Sequence, residues 1–339
     1  MGLFSSSDIG VDLGTAYSLI YVRGKGIVLR QPSVVAVERG TGKMAALGEK
    51  AKEMLGRAPD DQLVFRPLQD GVIANLDATE RMLAAFFQEV VGSRIFFKPR
   101  AVIAVPSQAT EVEKRAVIEA SEGAGARYTY LIEEPMAAAI GAGLPVAEAA
   151  GSMVVDIGGG TAEVAVISLG DIVTSCSARV AGDSFDDAII AYIKKKYNLL
   201  IGERTAEEIK IKIGSAYPYE GEGAIDVKGR NLVDGLPKNI EVTSEEVREA
   251  LADSVNQILD AIRTTLEKTP PELAADIIDQ GIMLTGGGAL LRGLDRLISA
   301  ETKMPVHVAE NPLDCVVDGT GVCLENDMLS LTSTKNYDE

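Results

Sequence analysis

The sequence predicts an α/β chain of two similar halves, each a large α/β domain carrying a smaller inserted subdomain, with a cleft between them. Three observations predict it. Two stretches resemble one another, Asp12-Leu-Gly-Thr-Ala-Tyr-Ser-Leu-Ile-Tyr-Val and, 144 positions later, Asp156-Ile-Gly-Gly-Gly-Thr-Ala-Glu-Val-Ala-Val-Ile. Each follows an apolar run (residues 9–11 and 153–155) and reads as strand, tight turn, strand. Each is followed by more strand-like runs, then by a polar segment punctuated with glycine.

Apolar runs at 9–13, 19–22, 27–29 and 34–37 alternate with glycine turns and predict a β-rich start. Residues 38–76 are more polar, with Gly42, Gly48, Gly56 and Pro59, and read as an insert. Asp77 is the expected cap of a helix reaching about Val91, with Met82, Leu83, Phe86, Phe87 and Val90 on one face. Residues 92–100 then place Ile95, Phe96 and Phe97 among Arg94, Lys98 and Arg100. Two readings stay open there: the start of a buried strand, or a loop that enters a bilayer while its cations meet lipid phosphates. Residues 101–105 are a buried strand ending at Pro106, 107–120 a helix, and 128–132 a strand running into Glu133-Glu134-Pro135 and an Ala-rich helix at 136–142.

The second half repeats this order. Strands are expected at 153–155, 161–167 and 172–180, and helices at 185–197 and 206–213. Lys194, Lys195 and Lys196 suit the C-terminus of the first of these helices. Residues 215–242 read as a small antiparallel insert, 244–266 as a long helix, and Thr269-Pro-Pro-Glu as the start of another. Ile282-Met-Leu-Thr-Gly-Gly-Gly-Ala-Leu-Leu-Arg-Gly gives strand, triple glycine, helix, and the polar residues 325–339 predict a poorly ordered tail.

Composition narrows the function. The chain has 339 residues, 46% hydrophobic and 24% charged, enough for two domains and a large core. A formal net charge of −17 argues against nucleic acid as a partner and against membrane contact through whole-molecule attraction. Cys176, Cys315 and Cys323 lack CxxC spacing and read as reduced thiols in or near the core. His307 is the only histidine, which excludes a histidine triad or a histidine-based zinc site. No secretory signal opens the chain, although residues 1–6 match the M-G-x-x-x-[ST] myristoylation pattern. The apolar stretch 136–155 is broken by Pro145 and by Gly151-Ser152, so two core elements are expected there and not a membrane span.

Glycine turns let backbone N–H groups approach phosphate oxygens, Thr15 and Thr161 add hydroxyls, and Asp12 and Asp156 are placed to hold the waters of a Mg²⁺ ion. One such hairpin is usually only a turn, but two copies suggest two half-molecules facing one nucleotide. Glu133 and Glu134, at a strand-to-helix junction, fit either a cleft carboxylate or a helix N-terminus favouring negative charge. On spacing alone Glu207 and Lys210 read as a solvated ion pair. Gly286, Gly287 and Gly288 leave room for a flat base, or serve a turn or helix packing. The P-loop, G-x-G-x-x-G, G-x-S-x-G and H-E-x-x-H patterns are absent.

Asp12-Leu-Gly-Thr, Asp156-Ile-Gly-Gly-Gly-Thr and Thr285-Gly-Gly-Gly resemble the two phosphate motifs and the adenosine motif of the actin/Hsp70/sugar kinase superfamily, whose fold is ribonuclease H-like. The chain further resembles the MreB family of bacterial actins in Arg66-Pro-Leu-Gln-Asp-Gly-Val-Ile, Glu133-Glu-Pro-Met-Ala-Ala-Ala-Ile-Gly, Gly202-Glu-Arg-Thr-Ala-Glu, Thr269-Pro-Pro-Glu-Leu and the stretch from Gly281 to Asp295, covering about residues 8–325. That resemblance implies an actin-like fold: large domain IA at 1–35, 78–143 and 316–339, small IB at 36–77, large IIA at 144–183 and 255–315, and small IIB at 184–254. It implies slow hydrolysis of ATP to ADP with Mg²⁺, and assembly into paired protofilaments of the chain with itself. The filaments would lie in the cytoplasm on the inner face of the plasma membrane, organise cell-wall synthesis and maintain rod shape, beside rod-complex membrane proteins such as RodZ, MreC and MreD. Residue by residue, it implies Asp12 and Asp156 at the hydrated Mg²⁺. Gly14, Thr15, Ala16 and Tyr17 with Gly158, Gly159, Gly160 and Thr161 fall at the phosphates, and Glu134 with Thr161 at the attacking water. Glu207 and Lys210 fall on the ribose and adenine side, Gly286, Gly287, Gly288 and Ala289 along the adenosine, and Ile95 and Phe96 in the membrane. Tyr17 stands where that family commonly has Asn, and Asp318 and Cys323 lie in a stretch usually smaller and more apolar. Chaperone-type ATPases and sugar or acetate kinases share the fold. Here no substrate-binding domain is expected after residue 325, and no residue stands out as a kinase's substrate base.

Overall fold

A computed structural model describes residues 8–92 and 98–326. Its first half opens with β1 (Ile9–Leu13), β2 (Tyr17–Val22) and β3 (Gly26–Pro32), an antiparallel meander. The chain then forms β4 (Val35–Glu38), β5 (Met44–Leu47), the short helix α1 (Glu49–Met54) and β6 (Gln62–Phe65), a small sheet of order β5-β4-β6. The hairpin β7 (Leu68–Gln69) and β8 (Val72–Ile73) leads to α2 (Leu76–Val91), β9 (Arg100–Val105), α3 (Glu111–Gly123), β10 (Tyr128–Glu133) and α4 (Glu134–Gly141). β9 and β10 add in parallel on the other side of β1, giving the order β10-β9-β1-β2-β3.

The second half is built the same way. β11 (Ser152–Ile157), β12 (Ala162–Ser168) and β13 (Asp171–Ala178) form an antiparallel meander. Then come α5 (Gly182–Tyr197), β14 (Leu199–Leu200), α6 (Glu203–Ile213), β15 (Ala224–Asn231), β16 (Pro237–Thr243), the 25-residue α7 (Ser244–Lys268) and α8 (Pro271–Gln280). β17 (Ile282–Thr285), a 3₁₀ turn at Gly287–Leu290, α9 (Leu294–Thr302), β18 (Val306–Val308) and α10 (Cys315–Glu325) finish the described chain. The large sheet runs β13-β12-β11-β17-β18, with the last two strands parallel to β11. Strand for strand this is the topology of the first half, and Asp12 and Asp156 occupy the same place, one residue before the end of their strands.

Several element ends differ from the sequence expectation, each for a local reason. Asn75, not Asp77, caps α2: its side chain accepts from the Ala78 N–H, while Asp77 pairs with Arg81. α3 begins at Glu111 because Thr110 and Glu113 form a reciprocal capping box, a signal legible in Thr-x-x-Glu. Glu134 already lies in the first turn of α4. β18 and α10 were not anticipated.

The halves share a core at their base. Val102, Ala104 and Ile132 from the first sheet cluster with Val154, Ala165 and Ile167 from the second, between α4 and α10. These two helices meet backbone to backbone: a Cβ on Gly141 would overlap the Cys315 carbonyl, and one on Gly319 the Ala137 carbonyl. α10 also lies against β1, where a Cβ on Gly10 would strike the Thr320 side chain. Cys323 is fully buried in this core, and burial pushes its thiol up to about 11. Asp318 sits beside Asp314, which forms a two-pronged ion pair with Arg30. Among the described residues no helix is long and apolar enough to cross a membrane. Residues 93–97, which include Ile95 and Phe96, lie outside the described residues.

Gly319→Ala is expected to lower unfolding stability by about 1–3 kcal/mol, because the methyl must separate two packed backbones; chemical denaturation measures it. A variant as stable as the parent would show that α4 and α10 do not touch as described.

Candidate functional site

The first glycine turn is held from beneath. The buried Ser33 donates its hydroxyl to the Gly14 carbonyl at 2.7 Å, hydrogen-bonds Ser18 at 2.9 Å and donates its N–H to Ala16 O at 3.0 Å. Thr15 accepts from the Gly71 N–H at 3.0 Å, which leaves its own hydroxyl proton free to donate. The second turn is closed by Gly158 N–H to Thr161 O at 2.9 Å. The start of α5 is tied to it, Gly182 N–H to Gly158 O at 3.2 Å and Asp183 N–H to Gly159 O at 2.8 Å. A helix N-terminus, with its partial positive charge, therefore points at this turn.

The two turns face each other at contact distance. A Cβ at Gly159 would lie 2.6 Å from the Ala16 Cβ, and one at Gly160 would lie 2.6 Å from Thr15 Oγ1 and 3.0 Å from the Asp70 Cα. Glycine is required by the approach of the second half to the first.

Three carboxylates converge between the turns. Burial, then Asp156 and Asp314, raise the Asp12 carboxyl to about 7. Burial, against a 2.7 Å hydrogen bond donated by Thr285, raises Asp156 to about 6. Glu134 is driven well above the usual carboxylate range by burial, then by Glu163, Asp12 and Asp156. Glu163 is fully buried beside them on β12. Ser107 of the first half donates its N–H (3.2 Å) and its hydroxyl (2.5 Å) to Glu163 Oε2, and Ser177 of β13 donates to its other oxygen. Among the described residues no cluster of three or more acidic, histidine or cysteine side chains is able to hold a metal by itself. Two facing carboxylates held near neutrality fit a hard cation that takes most of its ligands from water and phosphate, the habit of Mg²⁺.

The remaining sequence candidates divide. Thr161 is buried at the end of the second turn. Glu207 and Lys210 both lie on α6 but do not pair with each other, as their spacing had suggested. Lys52 meets Glu207 at 3.0 Å, and Lys210 donates to Asp186 at 2.9 Å and to the Gly182 carbonyl at 2.8 Å. Tyr17 is partly exposed and accepts from Lys52 at 3.1 Å. Gly286 has φ 77°, and a side chain there or at Gly288 would run into Ile157, so these two glycines have a packing reason of their own; Gly287 is open but for Leu313. Ala289 is buried in the following 3₁₀ turn. Sequence reasoning missed Lys52, Ser107, Glu163, Arg66 (3.8 Å from Asp183) and Asp186, one oxygen of which is buried without a partner. Arg66 and Gly71 share a stretch quoted above for the resemblance, and Gly71, at φ 77° after Asp70 at φ 49°, also shows as the Asp-Gly of a tight turn.

The raised Asp12 carboxyl has a stability consequence. Between about pH 4, its ordinary value, and pH 7 the folded chain holds a proton that the unfolded chain has lost, so stability falls as pH rises through that window. Asp12→Asn is therefore expected to stabilise the ligand-free chain by about 2–4 kcal/mol at pH 8, with the gain shrinking below pH 7 and vanishing toward pH 4. Denaturant titrations at the two pH values measure it; a gain independent of pH would show that Asp12 is not strained by its charge.

The family model described as MreB/Mbl protein matches residues 6–331. The chain is 55% identical over 319 residues to the cell shape-determining protein Mbl of Bacillus subtilis, covering 94% of this chain and 96% of that one. It is 56% identical over 330 residues to the cell shape-determining protein MreB of Escherichia coli K12, covering 96% and 94%. The structure is similar to MreB5 of Spiroplasma citri bound to ADP (TM-score 0.91, 39% identity, 96% and 98% covered) and bound to AMPPNP (TM-score 0.92, 39% identity, 97% and 98% covered). It also shares its fold with a MamK double helical filament at TM-score 0.80 and 21% identity, covering 94% and 98%. With the two-lobed actin-like fold, the opposed glycine turns and these likenesses together, the chain belongs to the MreB/Mbl family.

Proposed function

We propose that the chain is a cytoskeletal ATPase that polymerises on the inner face of the plasma membrane and organises cell-wall synthesis to maintain rod shape. The observation that carries this reading is the convergence of Asp12, Asp156 and Glu134 between two glycine turns that touch. The division into IA, IB, IIA and IIB given above is part of the proposal, with the cleft between the halves as the ATP site.

Gly14, Thr15 and Ala16 from one side, and Gly158, Gly159, Gly160 and Thr161 from the other, would offer N–H and hydroxyl donors to the phosphates. Asp12 and Asp156 would hold Mg²⁺ through water; when bound, the ion neutralises charge developing on the transferred phosphoryl group. Glu134 and Thr161 would position the attacking water, a task of orientation more than covalent chemistry. Lys210, fixed between Asp186 and Gly182, and Glu207 would serve the ribose and adenine side, with Gly286, Gly287, Gly288 and Ala289 along the adenosine. Protomers would add head to tail, a contact that does not close on itself and so yields an open filament. Ile95 and Phe96 would anchor it in lipid, and rod-complex proteins of the RodZ, MreC and MreD type would be its membrane partners.

Sedimentation with ATP or without nucleotide, with and without liposomes, checked by negative-stain microscopy, tests the reading. ATP-dependent pelleting with double filaments on lipid supports it, whereas a chain that hydrolyses ATP yet stays in the supernatant throughout would return the kinase and chaperone alternatives. Glu134→Ala is expected to slow phosphate release at least about 100-fold while ATP still binds; loss of ATP binding would remove Glu134 from the water. Ile95→Ser with Phe96→Ser is expected to abolish liposome co-sedimentation with folding intact, and unchanged lipid binding would move the anchor to Leu3 and Phe4.

A further inference from the structure

The nucleotide reading uses Tyr17 and Glu207 one by one, but not Lys52, which joins them. Lys52 stands on α1, a six-residue helix of which only Ala51 is buried, where a lysine is ordinarily solvated. Here its side chain is only 21% exposed and turns inward. Its ammonium lies 3.1 Å from the Tyr17 hydroxyl and 5.1 Å from the centre of the Tyr17 ring. From there it reaches into the second half, 3.1 Å from Oε1 and 3.0 Å from Oε2 of Glu207 on α6. One cation thus joins the turn-following strand of the first half, the small sheet's helix and the second half.

The geometry accounts for the tyrosine. Its ring supports the ammonium by cation–π attraction, and its hydroxyl accepts one of the three ammonium protons, leaving the others for Glu207. An asparagine at this position has neither the ring nor the reach. Glu207 is itself only 32% exposed, so the pair is screened less than a surface pair. Burial works against the charge of Lys52, and Tyr17 and Glu207 outweigh it. The crossing from Arg66 to Asp183 is longer at 3.8 Å.

We propose that Lys52, aimed by Tyr17, is a latch across the mouth of the cleft that must let go of Glu207 before bound nucleotide leaves. The proposal rests on the nucleotide reading of the cleft. Both oxygens of Glu207 face the ammonium, so opening the halves at their mouth breaks two hydrogen bonds to charge and the ion pair together. The latch sets the rate of nucleotide release, and through it the time a protomer spends in one nucleotide state.

The test is stopped-flow release of a fluorescent ADP with Mg²⁺ from the full chain, chased with excess unlabelled ATP, at several salt concentrations. Lys52→Gln is expected to release ADP about 3- to 10-fold faster at low salt, with Tyr17→Phe in between and Lys52→Arg restoring slow release. The parent's rate should rise with ionic strength toward that of Lys52→Gln, whose own rate stays flat. Equal release rates for the parent and Lys52→Gln, or equal salt slopes, overturn the latch alone. A parent chain that retains no labelled ADP overturns the nucleotide reading and the latch with it.

Discussion

Burial of neighbouring carboxylates, and after it their mutual repulsion, is the constraint on which the rest of this structure depends. Asp12, Asp156, Glu134 and Glu163 are brought together where water cannot screen them, and the first three are shifted upward in consequence. Glu163 is satisfied by three hydrogen bonds from two serines. No arginine or lysine is paired with Asp12, Asp156 or Glu134 in the hydrogen bonds and ion pairs of the described residues. On the proposed reading a cation brought by the nucleotide would relieve them, so that ligand binding and charge relief would be one event able to pull the two half-molecules together.

That pull acts on a fixed base. The α4 and α10 backbones touch through Gly141 and Gly319, and Gly10 lets α10 lie directly on β1. Contacts between close-packed backbones have little give. The two halves also share the cluster of Val102, Ala104, Ile132, Val154, Ala165 and Ile167, so sliding them apart would expose core. Motion that preserves this base is rotation about it, which opens the cleft at the far end while leaving the glycine turns nearest the base least displaced.

The paired hairpins were legible because both the strand run and the glycine turn are local patterns, and Asp12 and Asp156 follow directly from them. Element ends were read worse wherever a side chain does two jobs. Ser107 looks like a helix residue, yet it is spent on Glu163, fifty-six positions away, and α3 starts only at Glu111, behind the Thr110–Glu113 box. Lys52, Glu163 and Asp186 were invisible for the same reason: each has its meaning only through a partner distant in sequence. Glu207 and Lys210 show the converse. Their spacing suggests a pair on one helix face, but each found a partner off the helix, because a partly buried partner is screened less than a solvated neighbour. The Tyr17 departure from the family pattern has a physical counterpart in Lys52, which lies against it.

The two ends of the cleft are held by different physics, and the difference gives the molecule a direction of opening. At the floor the contacts are mostly glycine against backbone, serine to a buried glutamate, and apolar cluster to apolar cluster, with the Arg30–Asp314 ion pair at their edge. All but that pair are short-ranged and nearly independent of salt. At the mouth they are ion pairs, Lys52 to Glu207 and Arg66 to Asp183, partly exposed and reached by ions. A perturbation that weakens charge attraction therefore loosens the mouth and spares the floor. The halves part where a ligand passes and stay joined where the chain crosses between them, so opening does not require the fold to come undone.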